Sequence, residues 1–491
     1  MAGGKWQVVV YVPTLSTLSI KPTQLSRKYT MYDYDVIVIG AGPGGYPAAI
    51  RSAQLGKKTA IIEKEAYGGT CLNWGCIPTK TLIASAERYL QSKESKELGV
   101  STGRVSFDYP TMVSRKGKIV KKLTGGVQML LKSNGVEMIN GTARFEGPNR
   151  LSVQQPDGTT RWLSASSIII ASGSSSAMPG FLPKNKLVME SRAFLDLKEL
   201  PRNLLVLGGG VIGCEFACMA AALGTKVTIV EMLDDILIVL DRDVRRIIQK
   251  RMADLGIKVM TGAPLSDIKA AKGNVSGLVD GKKVSADAML VSIGRTPNTS
   301  ELDLKRAGVK FAKNGTIPVN IQCRTNVASI YAIGDLVTGS IQLAHAATQQ
   351  GITAAEVIAG MKSKVEKECP ACIFTMPEVG LAGISEDQAR EQGIEVKSAM
   401  FPFAALGKAM AVGETEGFVK WIADASTGQL LGAQAVGYHA TDLIAEAAVA
   451  IRNELTIDEV GNTIHCHPTM AESWMEAAHA WHGECIHMPK R

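Results

Sequence analysis

Tyr34-Asp-Val-Ile-Val-Ile-Gly40-Ala-Gly42-Pro-Gly-Gly45 decides the fold. The run before Gly40 is short, apolar and β-branched, the form of a strand buried on both faces of a parallel sheet. The glycines then allow a tight turn, close backbone approach to a pyrophosphate and close packing of helix on strand. A helix is predicted over 43–55, with Pro47 early enough in it to be tolerated. A second strand is predicted over 59–62, ending at Glu63, 23 positions after Gly40. An acid there can bond a ribose diol, while the helix N-terminus offers N–H groups to phosphate.

The pattern returns 168 residues later. A strand over 204–207 runs into Gly208-Gly-Gly210-Val-Ile-Gly213, a helix follows over 211–223, and a strand over 226–230 ends at Glu231. The acid again stands 23 positions after the first glycine. A carboxylate at that place bonds a 2′-hydroxyl and repels a 2′-phosphate, and Met232-Leu-Asp-Asp adds no basic residue, so NAD is favoured over NADP. Further strands running into glycine are read at 167–173, 289–294 and 330–334. Asn140-Gly141 marks a turn, and Gly125-Gly126 marks a turn or a weak point within a helix. A charged, Pro-terminated stretch at 362–370 reads as a linker. Strands over 418–423 and 430–436 and a helix over 442–453 follow it. The fold class is therefore α/β, with two Rossmann-like nucleotide-binding domains and an α+β C-terminal domain.

Between the fingerprints lies Gly68-Gly-Thr-Cys71-Leu-Asn-Trp-Gly-Cys76-Ile-Pro-Thr-Lys80. A dithiol delivered onto a bound cofactor can move two electrons between sulfur and that cofactor. In a regular helix, five residues rise about 7.5 Å, more than a disulfide's usual Cα separation of roughly 4.4–6.8 Å. The segment must therefore bend, at Asn73 and Gly75, if the thiols are to pair. Pro78 suits a first helical turn, with the helix continuing over 79–90. A cysteine at such an N-terminus is favoured as thiolate.

The 491 residues allow about three domains, and 46% apolar with 20% charged content is that of a globular chain. The net charge of +8 comes with no dense basic tract interleaved with aromatics, which excludes a nucleic-acid footprint. The most apolar stretch, 204–224, contains Glu215 and four glycines before Gly224, so no membrane span is read there. Nine cysteines, an odd count, do not make a disulfide scaffold. A reducing compartment, the cytoplasm, is expected. Residues 1–30 hold no acid and four Lys or Arg. That composition suits a mitochondrial transit segment or an unstructured extension before Met31. The Val-Val-Val-Tyr-Val run at 8–12 favours the extension.

His465-Cys-His467-Pro-Thr-Met-Ala-Glu472 offers a base and an orienting carboxylate, since histidine suits proton transfer near neutral pH. Its His-Cys-His spelling, like Cys369-Pro-Ala-Cys372, lacks a second pair at zinc spacing, so no metal is expected. Cys369 and Cys372 read as loop thiols.

Together these runs resemble the class I pyridine nucleotide–disulfide oxidoreductases over almost all of residues 31–491. Ser-Ile-Gly294-Arg-Thr-Pro-Asn298, Tyr331-Ala-Ile-Gly-Asp335 and Gln342-Leu-Ala-His345 add to the resemblance. It implies an FAD domain over 31–176 and an NAD domain over 177–297. A central domain over 298–364 would complete the FAD site, and an interface domain over 365–491 would form a homodimer. Gly40, Gly42, Gly45 and Glu63 would hold FAD, with Gly141, Ser172, Gly173, Ser174 and Asp335. Gln342, Leu343, Ala344 and His345 would line its ring. Gly208, Gly210, Gly213, Glu231 and Gly294 would hold NAD. Lys80, near the flavin, would pair with Glu215 and gate the nicotinamide. Cys71 would exchange with disulfides, Cys76 would face the flavin, and His467, oriented by Glu472, would serve the partner subunit.

The implied reaction oxidises protein-bound dihydrolipoamide and reduces NAD. The implied partners are lipoyl domains of 2-oxo-acid dehydrogenase complexes or the glycine-cleavage carrier protein. A glutathione reductase would want basic residues at Glu231-Met232, and a mercuric reductase a C-terminal cysteine pair where only Cys485 stands. A non-catalytic FAD scaffold is opposed by the intact Cys71, Cys76, Lys80, His467 and Glu472. Trp74, Ser172, Met376 and Cys466 depart from the family's commonest pattern.

Overall fold

The strand Tyr34–Ile39 lies inside the first sheet, with Val36, Ile37 and Val38 wholly buried. The computed structural model describes residues 31–366 and 368–489, so the 1–30 extension lies outside the described residues. Tyr34–Ile39 pairs in parallel with Thr59–Glu63 on one side (Val36 opposite Thr59) and with Thr160–Ile170 on the other (Val36 opposite Ser167). Glu137–Asn140 and Ile330–Ala332 extend the parallel part at its two ends. Covered on both faces, the inner strands Tyr34–Ile39 and Ile330–Ala332 and the Ile168–Ile170 end of Thr160–Ile170 are buried nearly throughout rather than alternating, while Glu137–Asn140 at the edge is mostly open.

Thr160–Ile170 has two lives. Its second half belongs to the parallel sheet, and its first half closes an antiparallel meander with Thr142–Gly147 and Arg150–Gln154. The 167–173 reading caught only the second half, because the first alternates buried and open residues and carries no continuous apolar run.

The second sheet repeats the plan, in the order Lys258–Met260, Lys226–Val230, Asn203–Leu207, Ala288–Val291, Val188–Met189. A meander of Ser266–Ala271, Asn274–Val279 and Lys282–Ala286 follows it in the chain order of the first unit. Two short strands, Ser174–Ser176 and Arg295–Pro297, pair where the chain passes between the units. Past 361–370, which holds no helix or strand among its described residues, comes a five-stranded antiparallel sheet backed by the helices Ala440–Arg452 and Glu472–His482.

Gly125 and Gly126 make no turn. They lie inside the helix Tyr109–Ser133, which Asp108 caps by accepting from the Thr111 N–H and which buries Val127 and Leu131. Among the described residues no helix is long and apolar enough to cross a membrane.

One core junction positions the chemistry. Leu82, Ile83 and Ala86 of the helix Cys76–Glu94 pack with Phe216 and Met219 of the helix Val211–Ala222, and with Ile373, Met376 and Phe418 of the C-terminal sheet region. The helix that begins at Cys76 is thereby wedged between the second nucleotide unit and the C-terminal domain.

Candidate active site

Each fingerprint is built around two steric demands. Gly40 (φ +100°) and Gly208 (φ +105°) sit where L side chains rarely go, and a Cβ there would meet Ala171 O at 2.4 Å and Ser292 O at 2.6 Å. A Cβ on Gly45 or Gly213 would fall 1.9 Å from Gly40 O or 2.1 Å from Gly208 O. The last glycine of each motif therefore lets the helix sit against its strand-end turn. The acids match as well: Glu63 Oε2 accepts from the Ala41 N–H at 2.7 Å, and Glu231 Oε2 from the Gly209 N–H at 2.6 Å.

The dithiol segment is laid on the first fingerprint. A Cβ on Gly69 (φ +56°) would stand 2.6 Å from Gly42 Cα, so two bare backbones touch there. Cys71 rides the short helix Gly69–Trp74, and Cys76 opens the helix Cys76–Glu94. The bend falls at Gly75 (φ −135°, ψ −112°) and not at Asn73. Asn73 braces the turn instead, its Nδ2 donating to the carbonyls of Tyr67 and Gly69. Both cysteines are thiols. The hydrogen bond that Cys71 gives to the Cys76 sulfur is the largest cause of a lowered Cys76 and a raised Cys71. Lys80 also favours the Cys76 thiolate, against the cost of burial. Of the two thiols, Cys76 is therefore the one that gives up its proton first.

One turn on, Lys80 Nζ lies 2.9 and 2.8 Å from the two carboxylate oxygens of Glu215, whose side chain is 4% exposed. Glu215 also accepts from the Phe374 N–H at 2.9 Å, and the Phe374 ring lies under the Lys80 ammonium. Both of its oxygens are thus satisfied, which a buried carboxylate requires. Trp74, a departure from the family pattern, lies 4.0 Å beneath the Arg192 guanidinium, itself bridged to Glu65.

These groups share a cavity of about 1460 Å³. Its wall takes in Gly40, Gly42, Glu63, Cys71, Cys76, Lys80, Ser172, Gly173, Ser174, Asp335 and Gln342 to His345 from one side. Gly208, Gly210, Glu215, Glu231 and Gly294 face it from the other. Leu343, Ala344 and His345 start the helix Ala344–Ile358, so its N-terminus opens on the cavity. Gly45 and Gly213 stand behind the wall, and so does Gly141, whose N–H donates to Glu63 O.

Two residues of the Ser292–Asn298 motif, Arg295 and Asn298, have roles that the sequence pattern does not assign. Arg295 donates to Ser174 Oγ and O at 2.7 Å and lies 3.6 Å from Asp335, which accepts from Ser174 Oγ at 2.5 Å. Asn298 exchanges bonds with Ser172. Polar residues just after the glycine that ends a strand are the signal that points to them. Cys372 is no loop thiol; it lies in the strand Ala371–Ile373 on the cavity wall.

His467 and Glu472 form the anticipated pair, Nδ1 to Oε1 at 2.8 Å, with Glu472 Oε2 accepting from the Thr469 N–H. They do not line the cavity, and the His467 side chain is 78% exposed. Next to them Ile464 is 96% exposed.

Residues 34–351 match the pyridine nucleotide–disulphide oxidoreductase model, and residues 369–478 match that family's dimerisation domain. The chain belongs to the pyridine nucleotide–disulphide oxidoreductases. This oxidoreductase is 43% identical over 460 residues to a dihydrolipoyl dehydrogenase of Chlamydia muridarum, covering 93% of this chain and 98% of that one. It is 42% identical over 459 residues to a dihydrolipoyl dehydrogenase of Geobacillus stearothermophilus, covering 92% and 97%. Among solved structures it resembles LpdA from Mycobacterium tuberculosis, with a TM-score of 0.85 and 28% identity over 91% of this chain and 99% of that one. It also resembles the HOCl-induced flavoprotein disulfide reductase RclA from Escherichia coli, with a TM-score of 0.82 and 29% identity over the same shares.

Proposed function

We propose that this oxidoreductase is a dihydrolipoyl dehydrogenase acting as a homodimer in the cytoplasm. It oxidises the dihydrolipoyl group of a lipoyl domain, from a 2-oxo-acid dehydrogenase complex or the glycine-cleavage carrier, and reduces NAD. The observation that carries the reading is one cavity walled by two dinucleotide fingerprints with a thiol pair between them. The bare-backbone approaches at Gly40 and Gly208 and the acids at Glu63 and Glu231 fit two dinucleotides. FAD would be held by the first fingerprint, Glu63, the Ser172 to Ser174 turn and Asp335. NAD would be held by the second, Glu231 and Gly294. Bound FAD supplies a two-electron relay between dithiol and NAD.

The chain's own residues do the sulfur chemistry. In the oxidised enzyme Cys71 and Cys76 form a disulfide. His467 of the partner subunit takes a proton from one substrate thiol, and the resulting thiolate attacks Cys71 sulfur. A bond forms from substrate sulfur to Cys71 while the Cys71–Cys76 bond breaks, and Cys76 leaves as thiolate. Lys80 and the start of the helix Cys76–Glu94 stabilise that leaving group. The second substrate thiol then attacks the substrate sulfur of the mixed disulfide. Lipoamide is released, and Cys71 takes the proton. Glu472 holds the imidazole so that Nε2 is the acting nitrogen. Lys80 and Glu215 stand across the cavity between the two fingerprints and would gate the nicotinamide.

Anaerobic NADH formation from free dihydrolipoamide by the purified FAD-loaded dimer tests the reading. A dimer that binds FAD and reduces other disulfides, yet makes no NADH from dihydrolipoamide, would refute it.

A further inference from the structure

The loop that follows Glu231 is held at both ends. At its inner end the Leu237 N–H donates to Gly209 O at 3.0 Å, and the Ile236 side chain fills the space that a Cβ on Gly209 would take. Gly209 is the middle glycine of the second fingerprint, so the loop is built onto that turn. At the outer end stands Asp241, the N-cap of the helix Arg242–Asp254. An aspartate there ordinarily accepts from the N–H groups of its own helix. The Asp241 side chain makes no such bond. Asp241 is 2% exposed, and its Oδ2 lies 2.7 Å from the ammonium of Lys420, itself 1% exposed, in the strand Gly417–Asp424 of the dimerisation domain. The Asp241 N–H donates to Gln434 Oε1 at 3.2 Å, from the neighbouring strand Leu430–Gly437. Lys420 also donates to both oxygens of Asp243 at 3.0 Å, with Glu386 at 3.6 Å.

We propose that Lys420 is a positioning residue for the coenzyme: from the dimerisation domain it pins the end of the 232–241 loop, and through that loop the Gly209 turn, in the form that takes NAD. The inference rests on the reading of the second fingerprint as the NAD site. A buried ion cluster adds little net stability, because desolvation offsets most of the attraction, but it fixes a geometry. The span between its two anchors is packed and not slack. Ile236, Leu237 and Leu240 are buried, the Leu240 N–H donates to Leu237 O, and Arg245 of the following helix donates to Asp235 at 2.7 Å. A displacement at Asp241 therefore passes by contact to Gly209, whose N–H is the one that Glu231 accepts. Met232, Leu233, Val239 and Gln434 all face the cavity, so the pinned loop is also part of its wall. The dimerisation domain would then serve both halves of the reaction, His467 at the thiols and Lys420 at the coenzyme.

The test compares the FAD-loaded dimers of the parent and Lys420→Met in two measurements. Calorimetric titration of NAD into the oxidised dimer reads coenzyme affinity with no electron transfer. Anaerobic mixing with dihydrolipoamide in the absence of NAD reads the thiol half of the reaction alone. In Lys420→Met the Kd for NAD should rise roughly 3–30-fold, and the KM for NAD with it. Reduction by dihydrolipoamide should keep the parent's rate. Lys420→Met leaves the Asp241 charge buried without its cation, which is a heavy cost. If that dimer fails to assemble, Lys420→Met/Asp241→Asn removes both charges together and carries the test, with a rise in Kd again expected. A Kd for NAD equal to the parent's in either variant dimer would overturn the proposal. Equal losses in both measurements would overturn it too, since they mark a general scaffold role. A parent dimer that binds no NAD would remove the coenzyme reading itself and the proposal with it.

Discussion

Glu231 does two jobs with one carboxylate. It accepts from the Gly209 N–H and the Leu233 N–H, which holds the second fingerprint loop, and in the proposed function it would set negative charge against a 2′-phosphate. NADH should therefore support turnover far better than NADPH. Glu231→Arg should narrow that gap, and equal kcat/KM for the two coenzymes in the parent would contradict the assignment. Cys71 and Cys76 are unequal: Cys76 gives up its proton more readily than Cys71. Cys71→Ser should keep FAD and lose dihydrolipoamide oxidation. The lone Cys76 thiolate beside the flavin should give long-wavelength absorbance; normal turnover in this variant would show that the pair is not the relay.

The helix Cys76–Glu94 carries both Cys76 and an electrostatic cost. Glu87 on that helix is pushed up to about 7 by burial first, then by Glu378 and Glu414. An ordinary carboxyl at 4.5 in the unfolded chain gives up its proton earlier than the folded one. The native state is therefore penalised as pH rises from 4.5 through 7, and not below. Glu87→Gln should stabilise the protein by about 1–2 kcal/mol at pH 8, after allowance for solvent screening, and change little at pH 4. Denaturant midpoints at the two pH values check this; equal effects would contradict it. This helix and both fingerprints were legible because glycine, proline and apolar runs act locally. The strand Tyr34–Ile39 has the boundaries the sequence suggests. Tertiary placement was not legible. The first half of Thr160–Ile170 alternates like any surface strand, Asn73 braces a turn whose bend falls at Gly75, and Arg295 takes its role from Ser174, 121 positions away. The Lys80–Glu215 pair, 135 positions apart, came from resemblance and not from pattern.

At the scale of the molecule the reading has one structural demand. His467 and Glu472 are paired, yet they sit outside the cavity with His467 78% exposed, about 390 residues from the cysteines in a dimerisation domain. A twofold dimer places one patch of each chain against its partner, so two equivalent sites arise together. Each site would then join Cys71 and Cys76 of one chain to His467 of the other. The fully exposed Ile464 beside His467 is a natural part of the surface that the second chain covers. The most direct measurement is subunit complementation. Inactive Cys71→Ser chains are mixed with inactive His467→Gln chains under conditions that exchange subunits, and NADH formation from dihydrolipoamide is followed. In a mixed dimer one site holds both defects and the other holds neither. Random pairing makes about half the dimers mixed, so activity should return to roughly a quarter of the parent's. Demonstrated exchange with no return of activity would contradict a site shared between subunits.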